Sequence, residues 1–322
     1  MKIAIFNGFP FHYEMYGYII HYCAYQGHSL TIYDLQANLD LGFVSLYQNI
    51  FPSFPIVYKP LSYFTEEGHS FDAIFLTTDD DPRFQKEKAE INRKIICIDH
   101  YFRIRSPEFH KRIATRPFPT EYWRPWALPL YPILSHDQKI KMRAALPNDT
   151  IFIAMVGYSI GSYNIKIMNR LKSAEKKIVL VSIARWNSKD KFVGLRSDIE
   201  LHILENIPAI QMIHILCQSD YVLINVAFKK SYYGDEIDDD EYVYKSMSGI
   251  IPLTFATLTP LILSKETNQY YQFENAITFD KSDENIDLQE QNIEALELER
   301  QQHIEKNHNL FSSISNVYGD LC

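Results

Sequence analysis

The hydrophobic pattern of the chain is that of strands alternating with helices. Residues 2–6 form an apolar run that ends in Asn7-Gly8, a mostly apolar segment at 13–26 is closed by Gly27, and a second run, SLTIYD, spans 29–34. Runs that are apolar on both faces are typical of parallel strands covered by helices. The order strand, helix, strand therefore predicts a first βαβ unit.

The rest of the first half continues this pattern. Strands are predicted at 71–77 and 94–99, with a charged helix at about 83–93 between them. The stretch 39–63 contains Pro52, Pro55 and Pro60, and these closely spaced prolines predict irregular structure.

A proline-rich stretch separates two halves. Residues 115–132 contain five prolines, which block both a helix and a central strand, so we interpret them as an interdomain linker. Afterwards the strand and helix pattern restarts. The later predicted elements are strands at 150–156, 177–184, 199–204, 221–226 and 276–279, a helix at 163–174, and a C-terminal helix at 287–308.

The pattern predicts an α/β protein with two Rossmann-like, doubly wound domains that face each other across a central cleft. The predicted boundaries are 1–130 for the first domain and 131–322 for the second, including the C-terminal helix.

Composition narrows the classes of function. The formal net charge is −8, which argues against a nucleic-acid partner, because such proteins carry basic faces that neutralise phosphates. The four cysteines form no CxxC pair, which favours a reducing compartment and signals neither zinc nor a disulfide framework. No run is long enough to span a membrane and no secretory leader is visible, so we expect a soluble, cytoplasmic protein.

One segment of the second half resembles the GT-B glycosyltransferases. It consists of YVLINVAF, an acidic loop, and KSMSGIIPLTFATLTPLI, with Ser248, Gly249 and Pro260 at the matching positions. The resemblance implies an enzyme that transfers a sugar from a nucleotide-diphosphate sugar to a hydroxyl acceptor, as in glycan biosynthesis, without a metal or other cofactor. Glu236 and Glu241 do not have the spacing of the paired glutamates of many retaining members, so retaining and inverting chemistry both stay open.

The donor diphosphate needs backbone N–H groups, hydroxyls and cations where parallel strands end. We expect the donor contacts in four places: the loop after the first strand of the second domain, the loop after the next strand, the end of the strand at 199–204, and the segment before the helix near Ser248. The predicted donor-binding residues are Gly157, Tyr158, Ser159, Arg185, Lys191, Asn206, Ile207, Ser246, Ser248 and Gly249.

The acceptor hydroxyl must lose a proton to a positioned base. Three candidates follow strands of the first half: His100, His12 and Asp79. The resemblance favours His100, because a histidine after this strand recurs among GT-B enzymes, and histidine ordinarily titrates near neutral pH.

Other functions stay open. A two-domain nucleotide-sugar epimerase would use the same scaffold without an acceptor, and a non-catalytic nucleotide- or carbohydrate-binding protein would keep the fold without a base. The DxD patterns at 79–81 and 238–240 would suit the metal-dependent GT-A glycosyltransferases. The strand pattern restarts in the second half, which fits two sheets better than one and argues against this class. The hypothesis of a dehydrogenase has the least support, because no G-x-G-x-x-G motif follows the first strand.

Overall fold

The computed structural model describes residues 1–9, 13–77, 84, 95–99, 112–114, 133–157, 162–184, 189–224, 250–280, 282–289 and 291–319. The chain divides into two compact units. The first consists of Met1–Tyr131 and Gln302–Cys322, and the second consists of Pro132–Gln301.

The first unit is built on a six-stranded sheet in which every described pairing is parallel. The strand order is β3-β2-β1-β4-β5-β6. The strands are β1 (Lys2–Asn7), β2 (Ser29–Asp34), β3 (Ile56–Pro60), β4 (Ala73–Leu76), β5 (Ile95–Asp99) and β6 (Arg112–Ala114).

Helices connect the first strands of this sheet. They are α1 (Tyr16–Gln26), α2 (Gln36–Leu39), α3 (Phe43–Ile50) and α4 (Phe64–Glu67), with 3₁₀ turns at Tyr13–Met15, Leu61–Tyr63 and Gly68–Ser70. Helix α1 ends because Gly27 adopts a left-handed conformation with φ of 69°, which a glycine accepts without a steric penalty. The turn brings the N–H of His28 to the carbonyl of Cys23 at 2.8 Å.

The core of the first unit is aromatic on one face of its sheet. The Phe6 ring on β1 meets the edges of Phe64 and Phe84, with centroids 4.8 and 5.0 Å apart. Burial of such side chains is the main driving force for a sheet covered by helices.

The second unit repeats the same design. Its main sheet is also parallel, in the order β10-β9-β7-β11-β12-β13, and a small parallel sheet pairs β14 with β8. The strands are β7 (Thr150–Gly157), β8 (Leu171–Lys172), β9 (Lys177–Ala184), β10 (Ile199–Glu205), β11 (Tyr221–Leu223), β12 (Leu261–Ser264), β13 (Ile277–Phe279) and β14 (Ile286–Asp287).

The helices described in this unit flank or follow these strands. They are α5 (His136–Ala144), α6 (Ser162–Met168), α7 (Ala209–Gln218), α8 (Ile250–Ala256), α9 (Lys265–Tyr271) and α10 (Ile293–Gly319), with a 3₁₀ turn at Lys189–Phe192. Helix α5 begins with a capping box in which the Ser135 hydroxyl and the Gln138 side chain each accept a hydrogen bond from the other residue's backbone N–H.

Two buried cations hold helix ends in the second unit. The Lys139 ammonium on α5 donates to the carbonyl of Ser219 at 2.7 Å and to the Thr259 hydroxyl at 2.9 Å. The Arg300 guanidinium donates to the carbonyl of Leu134 at 2.9 Å and to that of Ala256, at the end of α8, at 3.3 Å. Both side chains are about 2% exposed, so these bonds replace the water that they lose on folding.

The predicted fold class is confirmed: each unit is a doubly wound α/β sheet. In both sheets the chain moves outward from the first strand through two neighbours and then returns to the other side of that first strand. The reversal lies between β1 and β4 in the first unit and between β7 and β11 in the second. Such switch points are where open parallel sheets bind ligands, at the carboxyl ends of their strands.

Three local predictions were wrong. The stretch 39–63 is not irregular, because it contains α3 and β3. Pro60 is tolerated as the last residue of β3, which lies at the edge of the sheet and pairs with β2 alone among the described strands. The helix predicted at 163–174 ends at Met168 and is followed by β8. The C-terminal helix begins later and is longer than predicted, because α10 spans Ile293–Gly319.

The last part of α10 groups with the first unit, whereas the sequence assigns the whole helix to the second domain. The reason is a set of ring contacts. The His308 ring lies against Tyr25 with centroids 4.5 Å apart, and its Nε2 lies 3.1 Å from Nε2 of His21 on α1. Within the described ranges, no helix combines the length and apolarity that a membrane crossing needs.

Candidate functional site

The carboxyl edge of the first sheet holds a buried polar network. Asn7 ends β1 and donates through Nδ2 to the Tyr16 hydroxyl at 2.6 Å. That hydroxyl donates in turn to Oδ2 of Asp34, which ends β2. Asn38 on α2 donates to Oδ1 of the same carboxylate at 2.6 Å. The four side chains are each at most 2% exposed, so the network is sealed from solvent.

The network crosses the switch point. Thr77, the residue after β4, donates through Oγ1 to Oδ1 of Asn7 at 2.8 Å. The ends of β1 and β4 are therefore joined by a side-chain bond as well as by the strand pairing that ends at Phe6 and Leu76.

The same side chains hold the start of the loop that follows β1. The N–H of Phe9 donates to Oδ1 of Asn7 at 3.2 Å, and the carbonyl of Phe9 accepts from Nδ2 of Asn38 at 2.7 Å. Both backbone groups of Phe9 are thus satisfied by side chains of the network. This fixes the backbone of Phe9 at the edge of the sheet.

Burial raises the pKa of the Asp34 carboxyl to about 6, although the hydrogen bonds from Tyr16 and Asn38 and from the N–H of Leu35 act in the opposite direction. The carboxylate accepts from three donors on its two oxygens. Its lone pairs face the protein interior, so Asp34 supports the edge and is not placed to take a proton from a substrate.

Within the described part of the chain, one atom of the network lacks a hydrogen-bond partner. Among the described residues, Oδ1 of Asn38 lacks a hydrogen-bond donor although the side chain is 1% exposed. Buried amide oxygens are ordinarily paired, so this atom is a point where the edge has unused acceptor capacity.

The carboxyl edge of the second sheet is built differently. Gly157 ends β7 and lies beside Ala184, which ends β9. These two residues therefore mark the strand ends after which the donor loop and the cation Arg185 are predicted. Gly157 is the one residue of that loop that the structure describes.

Asn206 and Ile207 follow β10 at the same edge. Asn206 has φ of 50°, in the left-handed region that asparagine tolerates better than most residues, and its side chain is exposed. Ile207 is half-buried, and Pro208 then leads into α7. The left-handed turn sends the chain from the strand into the helix and leaves the Asn206 amide in solvent, available to a ligand.

Further along this edge, Ser264 ends β12 and caps α9. Its hydroxyl accepts from the N–H of Thr267 at 3.1 Å and lies 2.9 Å from the Thr267 hydroxyl. This is a helix cap that is 3% exposed, and it is not available to a ligand.

Most of the predicted site residues lie outside the described residues. These are the base candidates His100, His12 and Asp79 and the donor contacts Tyr158, Ser159, Arg185, Ser246, Ser248 and Gly249. Lys191 lies in the 3₁₀ turn Lys189–Phe192, and its side chain is outside the description. Helix α8 begins at Ile250, directly after the predicted diphosphate segment.

The buried network is absent from the sequence predictions. Asn7, Asp34 and Thr77 each stand at the end of a predicted strand, so their positions were visible as strand ends. Their connection was not visible, because Asn7 and Thr77 are 70 residues apart and Tyr16 enters from a helix. Across the described part of the chain, no three His, Cys, Asp or Glu side chains come close enough together to hold a metal ion.

Comparison with known proteins bears on the fold. No protein-family model and no curated protein sequence matches the chain. The structure of HepE from Anabaena in complex with UDP is 13% identical, with a TM-score of 0.52, and the match covers 100% of this chain and 96% of that one. At this identity the likeness shows a shared two-sheet α/β fold.

Two further solved structures match at lower TM-scores. The calicheamicin glycosyltransferase CalG4 is 10% identical, with a TM-score of 0.42 and 98% of each chain covered. The UDP-GlcNAc 2-epimerase of Methanocaldococcus jannaschii is 10% identical, with a TM-score of 0.45, and the match covers 97% of this chain and 92% of that one.

Proposed function

We propose that the protein is a glycosyltransferase that moves a sugar from a nucleotide-diphosphate sugar to a hydroxyl acceptor, which is a glycan. In this reaction the acceptor oxygen forms a bond to the anomeric carbon of the donor. The bond between that carbon and the diphosphate oxygen breaks, the nucleoside diphosphate leaves with the electron pair, and the acceptor proton passes to a base.

The observation that carries the proposal is the repeated switch point. Two parallel sheets in one chain have the same strand order, and each therefore offers a ligand-binding edge. Two such edges suit a transfer reaction between two substrates, with one edge for the donor and one for the acceptor. The likeness to HepE supports a nucleotide donor, because that structure holds UDP.

We assign the donor to the second unit. Its edge carries Gly157 next to Ala184, and a glycine at the end of a first strand allows a ligand to approach the backbone closely. The exposed amide of Asn206 is suited to a hydrogen bond with the base or ribose. The remaining donor contacts in the proposal are Tyr158, Ser159, Arg185, Lys191, Ile207, Ser246, Ser248 and Gly249.

The first unit is assigned to the acceptor and the base. Asp34 is excluded as the base by its burial and its three donors. The base candidates in the proposal are His12, Asp79 and His100, and of these the proposal favours His100. In the proposal, backbone N–H groups and cations meet the charge of the leaving diphosphate without a metal ion.

The test is a ligand screen followed by a transfer assay. Thermal unfolding is followed with UDP, GDP, TDP and CMP and their common sugars, each with magnesium or with EDTA. A ligand at 100 times its dissociation constant stabilises the fold by about 2.7 kcal/mol, which is a measurable shift. We expect one nucleoside diphosphate to stabilise the protein equally well in EDTA.

The sugar nucleotide identified by the screen is then incubated with candidate acceptors, and release of the nucleoside diphosphate is measured. Release that depends on the acceptor and is lost in His100→Ala supports the proposal. Conversion of the donor sugar without any acceptor would instead identify an epimerase. If no nucleotide shifts the unfolding temperature, the transferase proposal is wrong.

A further inference from the structure

A basic cavity lies in the second unit, away from the edge assigned to the donor. It has a volume of about 370 Å³. We call it the lysine cavity. Its polar lining consists of Lys172, Ser173, Lys176, Lys177, Arg196 and Asp198. The lining holds four cations and one carboxylate, so the cavity is positively charged although the chain has a net charge of −8.

Two of the four cations already have anionic partners. Arg196 holds Asp198 through two parallel bonds, Nε to Oδ1 at 2.8 Å and Nη2 to Oδ2 at 3.0 Å. Lys177, the first residue of β9, is paired with Glu200 on β10. These pairs account for half of the positive charge and fix the walls of the cavity.

The other two cations have no anionic partner among the described residues. Among the described residues, no carboxylate or carbonyl accepts from the ammonium of Lys172 or of Lys176, and both side chains are exposed. The backbone of Lys172 is held in the small sheet of β8 and β14, because its carbonyl accepts a hydrogen bond from the N–H of Leu288 at 2.8 Å. Lys176 is held by a turn in which its N–H donates to the Ser173 hydroxyl at 3.1 Å.

We propose that the lysine cavity binds a small soluble molecule through a phosphate group carrying about two negative charges. Two ammonium groups on fixed backbone positions match the charge of such a group, and lysine binds phosphate as a point charge. The Ser173 hydroxyl accepts one bond from the backbone and keeps its own proton to donate to a phosphate oxygen. The volume lies within the range of small-molecule sites and exceeds what a single phosphate needs.

This site is separate from the proposed donor site. The cavity is lined by residues at the start of β9 and just before β10, whereas the donor contacts follow the ends of the same strands. Strand β9 has 8 residues, so the two positions are separated by roughly 23 Å along the sheet. The proposal therefore does not depend on the donor that the second unit takes.

The test uses lysine acylation of the full chain with inorganic pyrophosphate as the probe. Acylation by an activated acetate ester is quantified by mass spectrometry with and without pyrophosphate. We expect pyrophosphate to protect Lys172 and Lys176. Lys141 on α5 and Lys166 on α6 are exposed lysines of the same unit outside the cavity, and we expect them to react equally in both samples. Equal acylation of Lys172 and Lys176 with and without pyrophosphate would overturn the proposal.

Binding is also measured by calorimetry on two matched variants. We expect Lys172→Gln/Lys176→Gln to weaken pyrophosphate binding about tenfold at low salt, and Lys141→Gln/Lys166→Gln to leave it unchanged. Because all four side chains are exposed, both variants should fold as the wild type does. Equal affinity of the two variants would refute the site. Protection of the two lysines by phosphatidic acid vesicles, without protection by pyrophosphate, would also refute a soluble ligand.

Discussion

The Thr77 hydroxyl donates a 2.8 Å hydrogen bond to Oδ1 of Asn7 and so ties β4 to β1 at the point where the first sheet reverses its winding. Both residues are at most 1% exposed. Asn7 in turn contacts Tyr16 and the N–H of Phe9. A single asparagine therefore connects two strand ends, a helix and the loop after β1.

The first prediction tests that bond. Thr77→Val keeps the shape of the side chain and removes the donor, so we expect the free energy of unfolding to fall by about 1 kcal/mol. Urea unfolding followed by circular dichroism measures the change. The matched control is Thr31→Val on β2, because the Thr31 hydroxyl makes no side-chain hydrogen bond within the described part of the chain. Equal effects of the two substitutions would show that the Asn7 contact adds nothing.

The second prediction concerns pH. The pKa of Asp34 is about 6 in the folded protein, above its value of about 3.9 in an unfolded chain. The folded state therefore binds more protons than the unfolded state between these values. Protonation of Asp34 therefore stabilises the folded state fully below about pH 4, and this stabilisation is lost as the pH rises to about 6 and beyond. Titration of Asp34 therefore lowers the free energy of unfolding by about 3 kcal/mol between low and high pH.

We expect Asp34→Asn to remove this pH dependence. The variant loses one acceptor for the Tyr16 hydroxyl, so it should be less stable than the wild type at pH 4.5 and closer to it at pH 7.5. Unfolding by urea at four pH values measures this. Asp40→Asn, at an exposed carboxylate at the end of α2, is the control and should keep the wild-type slope. An unchanged slope in Asp34→Asn would mean that the carboxyl titrates normally.

The sequence predicts the sheets better than their edges. Runs that are buried on both faces, such as 2–6 and 177–184, form central strands because their apolar pattern admits few alternatives. Strand β3 was missed because an edge strand is paired on one side, is half-exposed and tolerates Pro60. Local composition alone cannot separate such a strand from a loop.

The site shows the same limit. Gly157 and Asn206 were placed correctly at strand ends, because position along a parallel sheet can be inferred from strand order. The bond between Asn38 and Asp34 joins a strand end to the helix that follows it. The contact of Asn7 with Thr77 depends on pairing between distant strands. Burial of a polar network is a property of tertiary packing, and no local pattern reports it.

The third prediction concerns a buried lysine of the second unit. Burial lowers the pKa of Lys139 to about 7, so the unfolded state binds more protons than the folded state above that value. The stability of the wild type should therefore rise with pH from about 7 to about 10. Lys139→Met removes the titrating group and leaves the carbonyl of Ser219 without this donor, at a cost of about 1–3 kcal/mol.

We expect the destabilisation by Lys139→Met to be larger at pH 9 than at pH 7, because the wild type gains stability over this interval and the variant does not. Thermal unfolding at both values measures the difference. Lys141→Met, at an exposed position on the same helix, is the control and should have a small effect at both. A constant difference between wild type and Lys139→Met would show that the lysine stays protonated in both the folded and the unfolded state over this interval.

The last prediction separates structure from ligand binding at Asn206, and it depends on the proposed function. The residue has φ of 50° and an exposed side chain. Asn206→Gly keeps this backbone conformation available and removes only the amide, so stability should change by a few tenths of a kcal/mol. Asn206→Val places a β-branched residue in the left-handed region and should lower stability by about 1–2 kcal/mol.

If the amide contacts the nucleotide, Asn206→Gly should weaken nucleoside diphosphate binding about fivefold, the equivalent of one hydrogen bond of about 1 kcal/mol, without a change in unfolding temperature. Asn206→Asp keeps the side-chain shape, replaces the amide donor with an acceptor and should weaken binding at least as much, since it sets a charge near the diphosphate. Calorimetric titration of each variant with the nucleotide found by the screen measures both effects. Wild-type affinity in Asn206→Gly, with nucleotide binding otherwise intact, would remove Asn206 from the donor site and leave its left-handed turn as its contribution to the fold.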